Sequence, residues 1–266
     1  MTPTDTPLRG ARLRADIHAG YIHLLPPTLA TRALVAEARA LLESTPGPRR
    51  APAEIYAHAQ AARARVLSDG GVRAAVRAIL EDLGFALAEH ALDPPRLRAI
   101  QSGAHELPEA AAAYFAHRDT WYGNPRAQVN LWVPLYDVAE EETFTFFPSA
   151  FARAVENDSA SFDYATWRET VGWQKAGGAS RGAYPRALGS LAHEERMGFA
   201  AEAGALLLFS AAHLHQTRAH TTGRTRYSVD FRVVHRQDHR AGRGAPDVDN
   251  RATGSALGDY VAAEER

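Results

Sequence analysis

Cysteine is absent from the 266 residues. That excludes disulfides, thiolate metal sites and cysteine nucleophiles. Lysine is nearly absent too: of 30 basic residues only Lys175 is a lysine. An anchor for an acidic cofactor would therefore be arginine, whose planar fork grips a carboxylate through two N–H groups. There is no excess of either charge, with 31 acidic residues and a net of −1. Nothing in that balance attracts nucleic acid or an anionic membrane. No stretch approaches the roughly 18 apolar residues of a membrane-crossing helix. The first 20 residues are polar and lack the apolar centre of a secretory signal. A cytoplasmic location is the expectation. What is present is apolar material for a sizeable core, 45% of the chain.

The periodicities divide the chain, read as one domain over 1–266, into three parts. Residues 1 to about 15 read as a loose lead-in, and 16–92 as mostly helical. Tyr21–Leu25 is a short strand stopped by Pro26-Pro27, and Thr28–Glu43 is a helix with Leu34, Val35, Ala38, Leu41 and Leu42 on one face. Pro52–Leu67 is a weakly amphipathic helix. A third carries Val72, Val76, Ile79, Leu80, Leu83 and Leu87 in one stripe. After Asp93-Pro94-Pro95 the period changes. Strands are expected at Leu97–Gln101, Gln128–Leu135, Thr143–Phe147, Gly204–Phe209 and Arg226–Val234. Residues 93–236 form the β core, interrupted by a long insertion at 152–202. Tyr164, Trp167 and Trp173 are candidates there for a short helix and a lid. From 237 to 266 the chain is polar and glycine-rich, expected as a tail that packs little. Helices first and strands after, without βαβ alternation, predict an α+β fold: an antiparallel sandwich or barrel with helices outside.

Within this frame His117-Arg118-Asp119 stands out. Two residues apart on an extended backbone, His117 and Asp119 project to the same side and can reach one metal ion. A second histidine would complete the facial set of two histidines and one carboxylate that holds non-haem Fe(II). His215 is the candidate, following the apolar strand at 204–209, with Arg226 eleven residues later. His213 lies on the same side of an extended segment and is the rival ligand.

These segments resemble the phytanoyl-CoA dioxygenase-like branch of the Fe(II)/2-oxoglutarate oxygenases. The matching residues are His117 and Asp119, then Trp132, then Pro148-Ser149, then His215 and Arg226. The likeness spans roughly 97–234. It departs at Pro148-Ser149-Ala150-Phe151, where Pro-Gly-Ser-His is frequent, and at His220, where asparagine is common. The resemblance implies a double-stranded β-helix, or jelly roll, with the N-terminal helices packed on its outside. It implies Fe(II) held by His117, Asp119 and His215, with 2-oxoglutarate taking two of the remaining positions and O2 the third. Arg226 would face the far carboxylate, helped by Thr217, with Trp132 and Gln128 nearby. The presence of Asp119 argues against the related halogenases, which lack this carboxylate.

On the last strand Arg226, Ser228, Asp230 and Arg232 alternate with apolar residues, too charged a face unless it lines a wet cavity. Arg232 either pairs internally with Asp230 or meets an acidic group of the substrate. Asn130, Trp121 and Tyr122 are further substrate candidates. The substrate expected is a small polar molecule, amino-acid-like or a natural-product intermediate, to be hydroxylated or otherwise oxidised. Two other readings remain open from sequence. One is a cupin-type isomerase or dioxygenase without 2-oxoglutarate, which has no use for Arg226. The other is a non-catalytic jelly-roll binding protein.

Overall fold

The protein is described by a computed structural model covering residues 8–47, 51–172 and 184–264. In chain order the elements are α1 (Gly10–His18), β1 (His23–Leu25), α2 (Leu29–Glu43), α3 (Pro52–Ser68), α4 (Gly70–Asp82), β2 (His90–Gln101), β3 (Gln128–Pro134), β4 (Phe144–Phe146), α5 (Tyr164–Thr170), β5 (Leu206–Ser210), β6 (His215–Thr217), β7 (Thr225–His235), α6 (Arg236–Arg240) and β8 (Val261–Ala262). A six-stranded sheet has the order β1-β5-β3-β7-β2-β8, and β4 and β6 form a second, two-stranded sheet. Every strand pairing is antiparallel. The expected mixture of helices and antiparallel sheet is what the chain adopts. Among the described residues no helix is long and apolar enough to cross a membrane.

The alternation along the strands assigns the two faces of the large sheet. Val129, Leu131 and Val133 of β3 join Val229, Phe231 and Val233 of β7 in one core with Leu13, Ile17, Leu34, Val76 and Ile79 of the helices. Full burial of Leu131 or Phe231 is worth about 1.5–3 kcal/mol each, so Leu131→Asp would break the sheet–helix contact. The opposite face carries Gln128, Asn130 and Trp132, set beside Val234, Arg232 and Asp230 respectively by the β3–β7 register. This inner face positions the site.

Four expectations are corrected. The lead-in holds a helix, α1, which buries Leu13 and Ile17 and ties Arg14 to Asp238 at 2.9 Å. The stripe of α4 stops at Asp82, short of Leu87. Gly84 adopts φ +72°, open only to glycine at low cost, and turns the chain so that Gly10 N donates to Leu83 O at 2.8 Å. Pro94-Pro95 does not precede β2 but lies inside it. The register slips between Asp93 and Arg96, and β8 pairs only with Ala91 and Leu92, so neither proline costs a ladder hydrogen bond. The described C-terminal segment, 237–264, is anchored at intervals: Ala245, Asp249, Ala256 and Ala263 are buried.

The insertion also packs. Tyr164 and Trp167 of α5 are buried with Trp121, Tyr122, Phe147 and Phe162 in a second core. Trp173 lies outside the described residues.

Candidate metal centre

His117 and His215 face one another across a short antiparallel bridge. Each backbone N–H donates to the other's carbonyl, at 2.9 and 3.0 Å. Their ring centroids are 4.4 Å apart. His117 Nε2 lies 3.6 Å from Asp119 Oδ1. One ligand atom from each of His117, Asp119 and His215 lies within 4.8 Å of the other two, and this is the one such cluster of three or more ligand-type side chains found among the described residues.

Hydrogen bonds settle the imidazole tautomers. His117 Nδ1 lies 2.8 Å from Phe115 O, and His215 Nδ1 lies 3.0 Å from His213 O. A carbonyl only accepts, so both protons sit on Nδ1 and both Nε2 lone pairs are free for a metal. Burial, then the neighbouring His117, pushes His215 down to about 3, so it is neutral at pH 7. Burial alone would raise the Asp119 carboxyl. The neighbouring His117 and the Arg232 charge outweigh it and hold Asp119 well below the usual carboxylate range.

Asp119 Oδ2 is the hub of the inner face. It accepts from Asn130 Nδ2 at 2.7 Å and Gln128 Nε2 at 3.2 Å, with Arg232 Nε at 3.8 Å. Gln128, Asn130 and Arg232 gather around this carboxylate. Gln128 was expected at the co-substrate; at the start of β3 it sits instead at the carboxylate end, and its amide also engages Asn130 and Tyr260. Asn130, expected at the substrate, holds Asp119. Arg232 meets acidic groups of the protein itself: Asp93 at 2.6 Å and Asp230 at 3.7 Å. Burial would lower Arg232, but Asp119, Asp93 and Asp230 hold it above its usual value.

The aromatic candidates beside the ligands are packing residues. Trp121 is 0% exposed and donates its indole N–H to Asp249 at 2.8 Å, which leaves no surface for a substrate. Tyr122 stacks on His117 at 4.8 Å and donates to Pro185 O at 3.0 Å. Arg118 projects away from its two neighbours. It pairs with Asp249 at 3.0 Å and donates to the carbonyls of Ala150, Arg153 and Ala212. One tripeptide thus supplies two candidate ligands on one side and a buried tether for the C-terminal segment on the other.

His213 is separate from the cluster. Its Nδ1 accepts from Ser210 N at 3.0 Å and its Nε2 reaches Gly20 O at 3.1 Å, so both ring nitrogens are engaged by backbone.

Arg226 begins the inner face of β7 at the other end. It is buried, and among the described residues its Nε and Nη1 have no hydrogen-bond partner. The hydroxyls of Ser228 and Tyr114 are likewise unpartnered, and Tyr114 is close enough to feel the Arg226 charge. Burial pushes Arg226 down to about 10, against the attraction of Asp230. Its guanidinium lies 5.8 Å from the Trp132 ring. Trp132 belongs to a third cluster with Phe144, Phe146, Leu207 and Phe209. The Phe209 ring is 5.3 Å from His215, so this aromatic wall joins the two ends. Thr217 pairs with Phe144 in the small sheet, and its hydroxyl makes no hydrogen bond among the described residues.

Sequence reasoning missed Asp93, read as part of a break, and Tyr260 and Asp249, read as tail. None carries a local signal: their roles come from partners far along the chain.

No known protein family matches the chain, and no curated protein is similar to it. Solved structures are. EvdO2 from Micromonospora carbonacea var. aurantiaca is 11% identical over 86% of this chain and 92% of its own, with a TM-score of 0.51. The epimerase SnoN, in complex with Fe3+, alpha ketoglutarate and nogalamycin RO, is 16% identical over 84% and 83%, at 0.46. The non-heme alpha ketoglutarate dependent carbocyclase SnoK from nogalamycin biosynthesis is 13% identical over 89% and 92%, at 0.43. At such identities the likeness to EvdO2 speaks for a shared fold, over nearly the whole length of both chains.

Proposed function

We propose that this chain is an Fe(II)- and 2-oxoglutarate-dependent oxygenase on a double-stranded β-helix, akin to the phytanoyl-CoA dioxygenase-like branch. Its substrate is a small polar molecule, amino-acid-like or a biosynthetic intermediate, and hydroxylation is the simplest outcome. The observation that carries this reading is the pairing of two features on one inner face: three convergent ligand atoms, and a buried guanidinium with unpartnered N–H groups.

The donor set fits iron. Two imidazole nitrogens and one carboxylate oxygen on one side of an ion, with no thiolate, suit non-haem Fe(II). Arg226 fits the far carboxylate of 2-oxoglutarate, because an unpaired buried cation is costly until an anion meets it. Bound there, iron, 2-oxoglutarate and O2 supply the oxidising power, with succinate and CO2 as co-products. The protein's own part is to keep both imidazoles neutral, keep Asp119 ionised, and line the space between with Trp132, Phe144 and Phe209. A metal-dependent jelly-roll enzyme without 2-oxoglutarate would leave Arg226 without a task.

The test is succinate formation from 2-oxoglutarate by Fe(II)-loaded protein under air, with and without N-oxalylglycine. Turnover suppressed by the inhibitor is expected. Metal-dependent turnover of a substrate that ignores both 2-oxoglutarate and N-oxalylglycine would overturn the proposal.

A further inference from the structure

We propose that Tyr260, twenty-five residues beyond the end of β7, is a positioning residue for the metal-binding carboxylate: its hydroxyl anchors the carbonyl end of the Gln128 amide whose N–H faces Asp119. The inference rests on the proposal that His117, Asp119 and His215 hold a metal.

A carboxamide has two ends of almost equal shape and opposite hydrogen-bonding sense. Gln128 is completely buried. Its Nε2 donates to Asp119 Oδ2 at 3.2 Å and to Asn130 Oδ1 at 2.8 Å. Its Oε1 accepts from the Tyr260 hydroxyl. Reversed, the amide would set its carbonyl against an ionised carboxylate and leave two N–H groups facing a phenol oxygen. Asp119 and Asn130 Oδ1 only accept and so set the orientation, and the carbonyl end that results is anchored by the Tyr260 proton. That proton stays in place, because burial, then Asp93, raises the phenol well above its usual value.

A second amide obeys the same logic. Asn124 donates from Nδ2 to the Asp119 backbone carbonyl at 2.9 Å, and its Oδ1 lies 3.4 Å from the Tyr260 hydroxyl. Of the three side-chain amides that reach Asp119, Gln128 and Asn124 thus turn their carbonyl ends to one phenol, while Asn130 turns its own to Gln128 Nε2. Tyr260 is itself held on both sides. Asp259 accepts from Tyr164 Oη at 2.6 Å, and β8 pairs with Ala91 and Leu92 of β2. The C-terminal segment is therefore part of the site's scaffold.

The test uses the metal-free full-length chain and Co(II) alone, followed by its visible absorption, together with the side-chain amide NMR signals of Gln128. Tyr260→Phe removes one hydroxyl. It should shift the Gln128 amide protons, speed their exchange, and weaken Co(II) binding about three- to tenfold, at the low end of what outer partners of ligands contribute. Tyr164→Phe removes a hydroxyl that tethers the same segment without touching Gln128, and should move both readouts less than Tyr260→Phe does. In a Gln128→Ala background Tyr260→Phe should weaken Co(II) no further. Unchanged Co(II) affinity and amide signals in Tyr260→Phe would overturn the inference, as would an equal loss in the Gln128→Ala background. Wild-type protein that takes up no Co(II) would sink the metal reading, and the amide signals would then decide the Tyr260 link by themselves.

Discussion

At one end of the inner face the buried carboxylate is answered by several donors; at the other, a buried guanidinium is not. Asp119 has donors from Asn130 and Gln128 with Arg232 beside it, and both ligand histidines spend their Nδ1 protons on carbonyls. Arg226, Ser228 and Tyr114 have buried polar atoms with no partner among the described residues. The first pattern pre-orients ligands so that a metal meets little reorganisation. The second puts a desolvation cost on the protein that an anionic ligand would relieve. The same kind of substitution should therefore have opposite effects on stability at the two ends.

The largest effect is expected from Asp119→Ala. Metal affinity and 2-oxoglutarate turnover should both fall by more than about a hundredfold, beyond the loss caused by removing an outer partner of a ligand. Calorimetric titration with Fe(II) under anaerobic conditions measures the first, and succinate release the second. Asn130→Ala should cut metal affinity about ten- to a hundredfold. It should also destabilise the metal-free protein by about 1–3 kcal/mol, because a buried carboxylate loses a donor. Urea denaturation reads that loss.

Arg226→Met is the counterpart. The 2-oxoglutarate requirement should rise at least about tenfold, the loss of one charge-assisted bidentate contact. The metal-free variant should be as stable as wild type or more so, by an amount on the order of 1–3 kcal/mol, since an unpaired buried charge is gone. A clear loss of stability would break the contrast between the two ends.

The smallest effect lies away from both. His90 is buried against Phe85, and burial pushes it down to about 4. An unfolded histidine titrates near 6.5, so between these values the unfolded chain binds a proton that the folded one does not. Stability should fall as pH drops from about 6.5 to 4, with this group contributing a slope of about 1.4 kcal/mol per pH unit. His90→Phe should flatten that slope in urea melts.

How much of this was legible beforehand follows the range of each interaction. Helix stripes and strand alternation are local, so α2, α3, β3, β5 and β7 were readable within a residue or two. The convergence of His117 and Asp119 was readable because a two-residue spacing fixes a shared side. α1 was missed because Leu13 and Ile17 are diluted by arginine and glycine, and β2 was cut short because its prolines sit at a register slip.

By itself the sequence determined the period of each element, the absence of thiolate chemistry, and the residue types able to bind a metal. Only the tertiary structure decided between His213 and His215, turned Gln128, Asn130 and Arg232 toward Asp119, and brought Tyr260 and Asp249 back from the end of the chain. The reason is physical: periodicity is a property of neighbouring residues, whereas hydrogen-bond satisfaction in a buried site depends on which distant segments arrive there together.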